Sequence, residues 1–286
     1  MDKKEIKSLI SLLDDPDHEI FQHVEEQLIT LGSNVIEHLE SVWENSFDAL
    51  QQIRIENIIQ KIQVRSVSQA LEIWKLMGAQ DLLQGLIILN RHQYPDLNEA
   101  KLIGIIDEMV QTASHGTSLT NDATVNVNHI NHVLYNDFGL SGNTSNYHDP
   151  QNSFINKVLE TRKGNPILLS CIYSIVAQKL GLPIYGVNLP KHFILAYTTP
   201  DIPISNRQQI LMYINAFNRG QVFGRDDVTS FLRQLELAPD DQFVLPCDNV
   251  SIITRVLRNL SSSYSQIGNL QKKNEIDQLL KKLMED

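Results

Sequence analysis

The chain has 286 residues, 42% of them hydrophobic, and a formal net charge of −10, so it can bury one or two ordinary cores and is not a disordered majority. It contains no run of about 18 apolar residues, and its opening MDKKEIKSLISLLDDPDHEI lacks the apolar core and cleavage site of a secretory leader. Two cysteines, Cys171 and Cys247, cannot build a secreted disulfide framework, and an acidic chain repels phosphate backbones; a cytoplasmic setting without membrane or nucleic-acid partner is expected.

The first third has helical periodicity. Ile6, Leu9, Ile10 and Leu13 share one face, then Ile20, Val24, Leu28 and Leu31, then Ile55, Ile58, Ile59 and Ile62. Asp15-Pro16 and Gly32-Ser33 separate these short helices. The acidic run Asp14, Asp15, Asp17 and Glu19 lacks the spacing and glycine of a calcium loop and reads as a charged helix start. The run SLLDDPDHEIFQHVEEQLITLGSNVIEHLESVWE resembles a HEAT-type repeat, of which one to two units fit. A HEAT-like cap over 1–78 is expected, with an ordinary helical bundle as the alternative.

Helices continue through ALEIWKLMG, LLQGLIILNRHQYPDLNEAKLIGIIDEMVQTA and VNHINHVLYNDFGL. GLSGNTSNYHDPQNS is then a loop, and SFINKVLETRKG a short helix ended by Gly164. Asn165 as N-cap and Pro166 at the first helical position open a buried helix that Gly181 closes. IYGVN, HFILAY and QILMYINAF read as three successive strands, and the tail returns to helix.

The block GNPILLSCIYSIVAQKLGLPIYGVNLPKHFILAY, with HDPQNSFINKVLETRKG before it and MYINAFNRG after it, resembles the transglutaminase-like superfamily in its SirB-type bacterial branch. The resemblance covers about residues 80 to 286 and includes a tetratricopeptide-like tail at TRVLRNLSSSYSQIGNLQKKNEIDQLL. It implies a mostly helical α+β fold: a transglutaminase-like, papain-like core with a small antiparallel sheet, flanked by helical repeats. The domains expected are 1–78, 79–238 and 239–286. It also implies chemistry like that of papain, in which a cysteine opens the helix and a histidine and an aspartate follow on the next strands. A thiolate there meets the positive end of the helix dipole, and the imidazole takes its proton.

Counting back from the turn Gly181–Pro183, the family's nucleophile position falls on Pro166, which has no thiol; the histidine position falls on His192 and the third member on Asn215. Asparagine can still orient an imidazole. Cys171, a weak substitute, lies five residues along the helix, about 7.5 Å of rise and roughly 140° of rotation away. Among Leu168, Leu169, Ile172 and Ile175 it reads as a small buried hydrophobe, and Ser170 and Ser174 are equally internal. Asn165, Asn188, Lys191, His192 and Asn215 outline the candidate ligand cleft, where His192 is either a structural residue or a ligand contact.

The leading expectation is therefore a non-catalytic protein, a pseudoenzyme whose cleft and helical ends bind a protein or peptide. The alternative is a cysteine-type amide hydrolase or acyltransferase using His192 and Asn215 with Cys171 or water, and a third reading is regulation of another enzyme through the N-terminal helices. His129 and His132, with Asp137 nearby, do not make a zinc site without a third ligand, so no metal is expected. GxGxxG, a P-loop, HExxH and GxSxG are all missing, and no cofactor is expected. Arg255, Arg258, Lys272, Lys273, Lys281 and Lys282 gather in the tail, as a solvated face or as an orienting surface for a negatively charged partner.

Overall fold

The structure is a computed structural model that describes residues 3–200 and 207–285. Four helices open it: α1 (Lys3–Ile10), α2 (His18–Leu31), α3 (Ile36–Asn45) and α4 (Ala49–Leu76). Asp17 and Asp48 cap α2 and α4, accepting the Glu19 and Leu50 N–H groups at 2.8 and 2.7 Å, as short acidic side chains do at helix starts. Ile10, Leu13, Leu28, Leu39, Ile55, Ile58 and Ile62 are among the residues of a first hydrophobic core. Arg54 ties the α1–α2 turn to α4 by donating to the carbonyls of Leu13 and Asp15 at 2.7 and 2.9 Å.

The two short helices expected from IRIENIIQK and ALEIWKLMG are one helix of 28 residues. The signal was present: the buried positions step by three or four through Ile55, Ile58 and Ile62, then jump five to Val67 before Leu71 and Trp74. That jump turns the buried stripe by roughly 140°, so one half of α4 serves the first core and the other half a second.

The second core is built on α5 (Leu82–Asn90), α6 (Glu99–Ser114), α7 (Ala123–His132, continued by a π-helical turn Val133–Asp137), α8 (Ile155–Thr161) and α9 (Pro166–Lys179). The helix α8 does not run to Gly164; Arg162 ends it at φ 61°, and Lys163–Gly164 forms a short strand β2 parallel to β1 (Ser141–Gly142). A four-stranded antiparallel sheet follows, in the order β3 (Ile184–Val187), β4 (Ile194–Thr198), β5 (Ile210–Asn215), β6 (Gln221–Phe223). The fourth strand and a short helix α11 (Asp241–Val244) were not expected from the sequence. Side-chain alternation divides the sheet: Leu195, Tyr197 and Ile214 face the α9 core, while Ile194, Ala196 and Tyr213 face Val228 and Leu232 of α10 (Arg225–Gln234). The fold is thus α+β and mostly helical. No helix among the described residues is long and apolar enough to cross a membrane.

The tail helices α12 (Asn249–Gln266) and α13 (Leu270–Met284) contribute Ile253, Leu257, Leu260, Ile276 and Leu279 to the second core. Glu275 of α13 is a polar anchor there: it accepts from His92 at 3.0 Å and Lys272 at 3.3 Å, and also from Gln60 of α4. Burial opposes its ionisation, but the hydrogen bonds and charges of His92 and Lys272 outweigh that and hold the carboxyl below its usual range. A carboxyl depressed in the folded state stabilises above its unfolded value, about 4.3, and loses that contribution as pH falls through the folded value. Glu275→Gln is therefore expected to lower the thermal midpoint at pH 7 and to cost progressively less as the pH falls through the folded carboxyl's range; a loss that does not shrink on acidification would sink this account.

Candidate functional site

The polar segment between β1 and α8 is fixed by asparagines. Asn152 donates to the carbonyls of Asn146 and Tyr147 at 2.7 and 3.1 Å and accepts from Asn143 at 2.8 Å. Asn165 donates to the Ser153 hydroxyl at 2.7 Å while its oxygen accepts the Leu168 N–H at 2.9 Å. These side chains replace the ladder that a loop lacks. They also seat Pro166 at the first position of α9, where its missing N–H leaves no orphan donor. Cys171 is 1% exposed, and burial, with Cys247 nearby, pushes its thiol well above the ordinary range. It is a protonated packing group at neutral pH.

His192 follows the turn at Lys191, whose φ is 62°. Its ring is edge-on to Phe231 of α10 at 4.9 Å, and desolvation, with the Arg255 cation second, lowers its pKa. Asn215 ends β5, and its oxygen accepts the Asn218 N–H at 3.2 Å, capping the 3-10 turn Ala216–Asn218. No hydrogen bond joins His192 to Asn215. The described side-chain partner of the asparagine expected as an orienter of the imidazole is its own turn. Asn188 accepts from Arg255 at 3.1 Å. Asn165 is buried at the α9 cap, and Lys191 is exposed. The five residues read as one cleft therefore divide between a structural cap (Asn165), a turn cap (Asn215), a pair around Arg255 (Asn188 and His192) and an exposed turn residue (Lys191).

Sequence reading missed Tyr147 and Phe217 in this region and left Arg255 on the tail. Tyr147, 45% exposed, meets the ring of Phe217 edge-on at 6.0 Å and lies within electrostatic reach of Arg255. Arg255, read as part of a basic tail face, is half-buried. It is carried in by the start of α12: Cys247 donates its N–H and its thiol to the Gly186 carbonyl at 2.9 and 3.4 Å. A Cβ on Gly186 would stand 2.7 Å from Phe193 and 3.0 Å from Ile252. Placement one turn beyond buried Ile252 and beside buried Val256 was the available sign that Arg255 edges a packed stripe.

The other basic tail residues behave differently. Lys272, Lys273 and Lys282 pair with Glu275, Asp277 and Glu285. His132 hydrogen-bonds Asn136 at 2.9 Å and lies 3.5 Å from Asp137, whereas the His129 ring fills the space beside Gly116. No group of three His, Cys, Asp or Glu among the described residues is placed to hold a metal.

Comparison with known proteins agrees with this architecture. The UPF0162 protein of Xylella fastidiosa (strain Temecula1) is 29% identical over 206 residues, covering 68% of this chain and 70% of that one. The UPF0162 protein of Vibrio cholerae is 27% identical over 191 residues, covering 65% and 67%. Mouse F-box only protein 21 is 36% identical over 92 residues, which is 32% of this chain and 15% of that protein. No solved structure matches. The family profile described as transglutaminase-like superfamily matches residues 100–258, from α6 through the sheet and into α12, and the chain belongs to that superfamily.

Proposed function

We propose that this is a non-catalytic, SirB-type transglutaminase-like protein that binds a peptide or protein partner in the cytoplasm. In this reading α1–α4 act as a HEAT-like cap and α12–α13 as a tetratricopeptide-like hairpin, both lending scaffold surface. The observation that carries it is Pro166 at the first position of α9, where the resemblance implies that the family's thiol would stand. Three further features support it. Cys171 is sealed in the core, the imidazole of His192 rests on Phe231, and Asn215 is engaged by its own turn. A nucleophile, a base and an orienter within hydrogen-bond reach are what acyl transfer through sulfur requires.

Two measurements on the native protein test this. Iodoacetamide between pH 5 and 8 is expected to leave Cys171 unmodified for as long as the chain stays folded and to label it at once in denaturant; fast native-state labelling there would mean an activated thiol. Selection of displayed random peptides on the full-length protein is expected to enrich ligands that protect the face bearing Tyr147 and His192. A burst of acyl product from amide or ester substrates would overturn the non-catalytic assignment.

A further inference from the structure

Arg255 is a half-buried cation with no counter-ion among the described residues. It enters no ion pair with a described residue, and its single described hydrogen bond runs from Nη1 to the Asn188 side chain at 3.1 Å. Nε and the second terminal nitrogen keep their donors free of described protein partners. The described titratable groups that act on it do not supply a carboxylate: Arg258 lies one turn further along α12, and Tyr147, Cys247 and His192 are its other described electrostatic neighbours. In a chain with 34 acidic and 24 basic residues, the chemistry for pairing it is abundant, yet among the described residues no carboxylate forms an ion pair with it. Removing a guanidinium from water without a partner costs free energy. The planar fork, with one prong fixed by Asn188, matches a two-oxygen anion.

From this arrangement we infer that Arg255, oriented by Asn188, receives a carboxylate of the bound peptide, with the Tyr147–Phe217 ring pair contacting the neighbouring residue. The inference rests on the peptide-binding reading above and adds the ligand's chemistry. The carboxylate comes either from a free C-terminus or from an acidic side chain.

Full-length protein carrying 13C-labelled histidine rings separates the cases. The probes are Ac-Ala-Tyr-Ala with a free carboxyl terminus, the same peptide as its C-terminal amide, and Ac-Glu-Tyr-Ala amide. At least one of the two carboxylate peptides is expected to shift the His192 resonance saturably and to bind about tenfold or more tightly than the neutral amide; which one identifies the source. The advantage should vanish in Arg255→Gln and persist in Arg225→Gln, a surface control on α10. Arg255→Lys keeps the charge without the fork and should lose at least about threefold, which preserves the test if the glutamine variant does not fold. Equal binding of all three peptides by the native chain overturns the carboxylate subsite while leaving peptide binding in place. An undiminished advantage in the Arg255 variants, or no binding of either carboxylate peptide, overturns it as well.

Discussion

Gly220→Ala is expected to destabilise the protein by about 3 kcal/mol, more than its single added methyl would cost in open space. Gly220 is buried at φ 72°, and a Cβ there would lie 1.8 Å from Oδ1 of Asn131, 2.3 Å from its Cγ and 2.5 Å from its Nδ2. The Asn131 amide is also pinned, donating to the Gly220 carbonyl at 3.0 Å. Two costs therefore add: a left-handed backbone, about 1 kcal/mol for a residue with a side chain, and displacement of a hydrogen-bonded amide from α7. A double-mutant cycle in urea separates them. In an Asn131→Ala background the steric part should vanish and the alanine should cost about 1 kcal/mol. Strict additivity of the two substitutions would refute the clash. Because Gly220 donates its N–H to the Asn215 carbonyl at 2.9 Å, the same substitution should disorder the turn that holds Phe217 against Tyr147.

Ile172→Ala is expected to cost about 2–5 kcal/mol, and Ile172→Val about 0.5–1.5 kcal/mol. Ile172 is fully buried in the middle of α9, between fully buried Leu168 and Val176 one turn to either side. Core interiors are packed like organic crystals, so the cavity left by three missing carbons collapses only in part. Chemical denaturation of the two variants gives the series directly. If alanine cost no more than valine, α9 would not be the packed centre of the second core.

Much of this architecture was legible in the sequence, for reasons that can be named. Asn165-Pro166 announces a helix start by chemistry that acts over three residues, and IYGVN, HFILAY and QILMYINAF announce strands by β-branched and aromatic content. What escaped depended on contacts distant in the chain. The end of α8 at Arg162 is set by pairing of Lys163–Gly164 with Ser141–Gly142, which no local pattern near residue 162 records. Gln221–Phe223 is too short to show alternation and becomes a strand because Tyr213, Ile214 and Asn215 offer it an edge. For Pro166, His192 and Asn215 the family resemblance supplied an expectation about roles. That Asn215 caps its own turn, and that Arg255 arrives beside Asn188 from 67 residues further along the chain, are facts of packing.

The 28-residue α4 has a mechanical consequence. At 1.5 Å per residue it is a rod about 42 Å long, gripped near one end by Ile55, Ile58 and Ile62 and near the other by Val67, Leu71 and Trp74. A rod clamped at both ends has no elbow. The same helix reaches the closing hairpin through Gln60, which donates to Glu275 of α13, so the first core, the second core and the pair of helices that carries Arg255 share one continuous element.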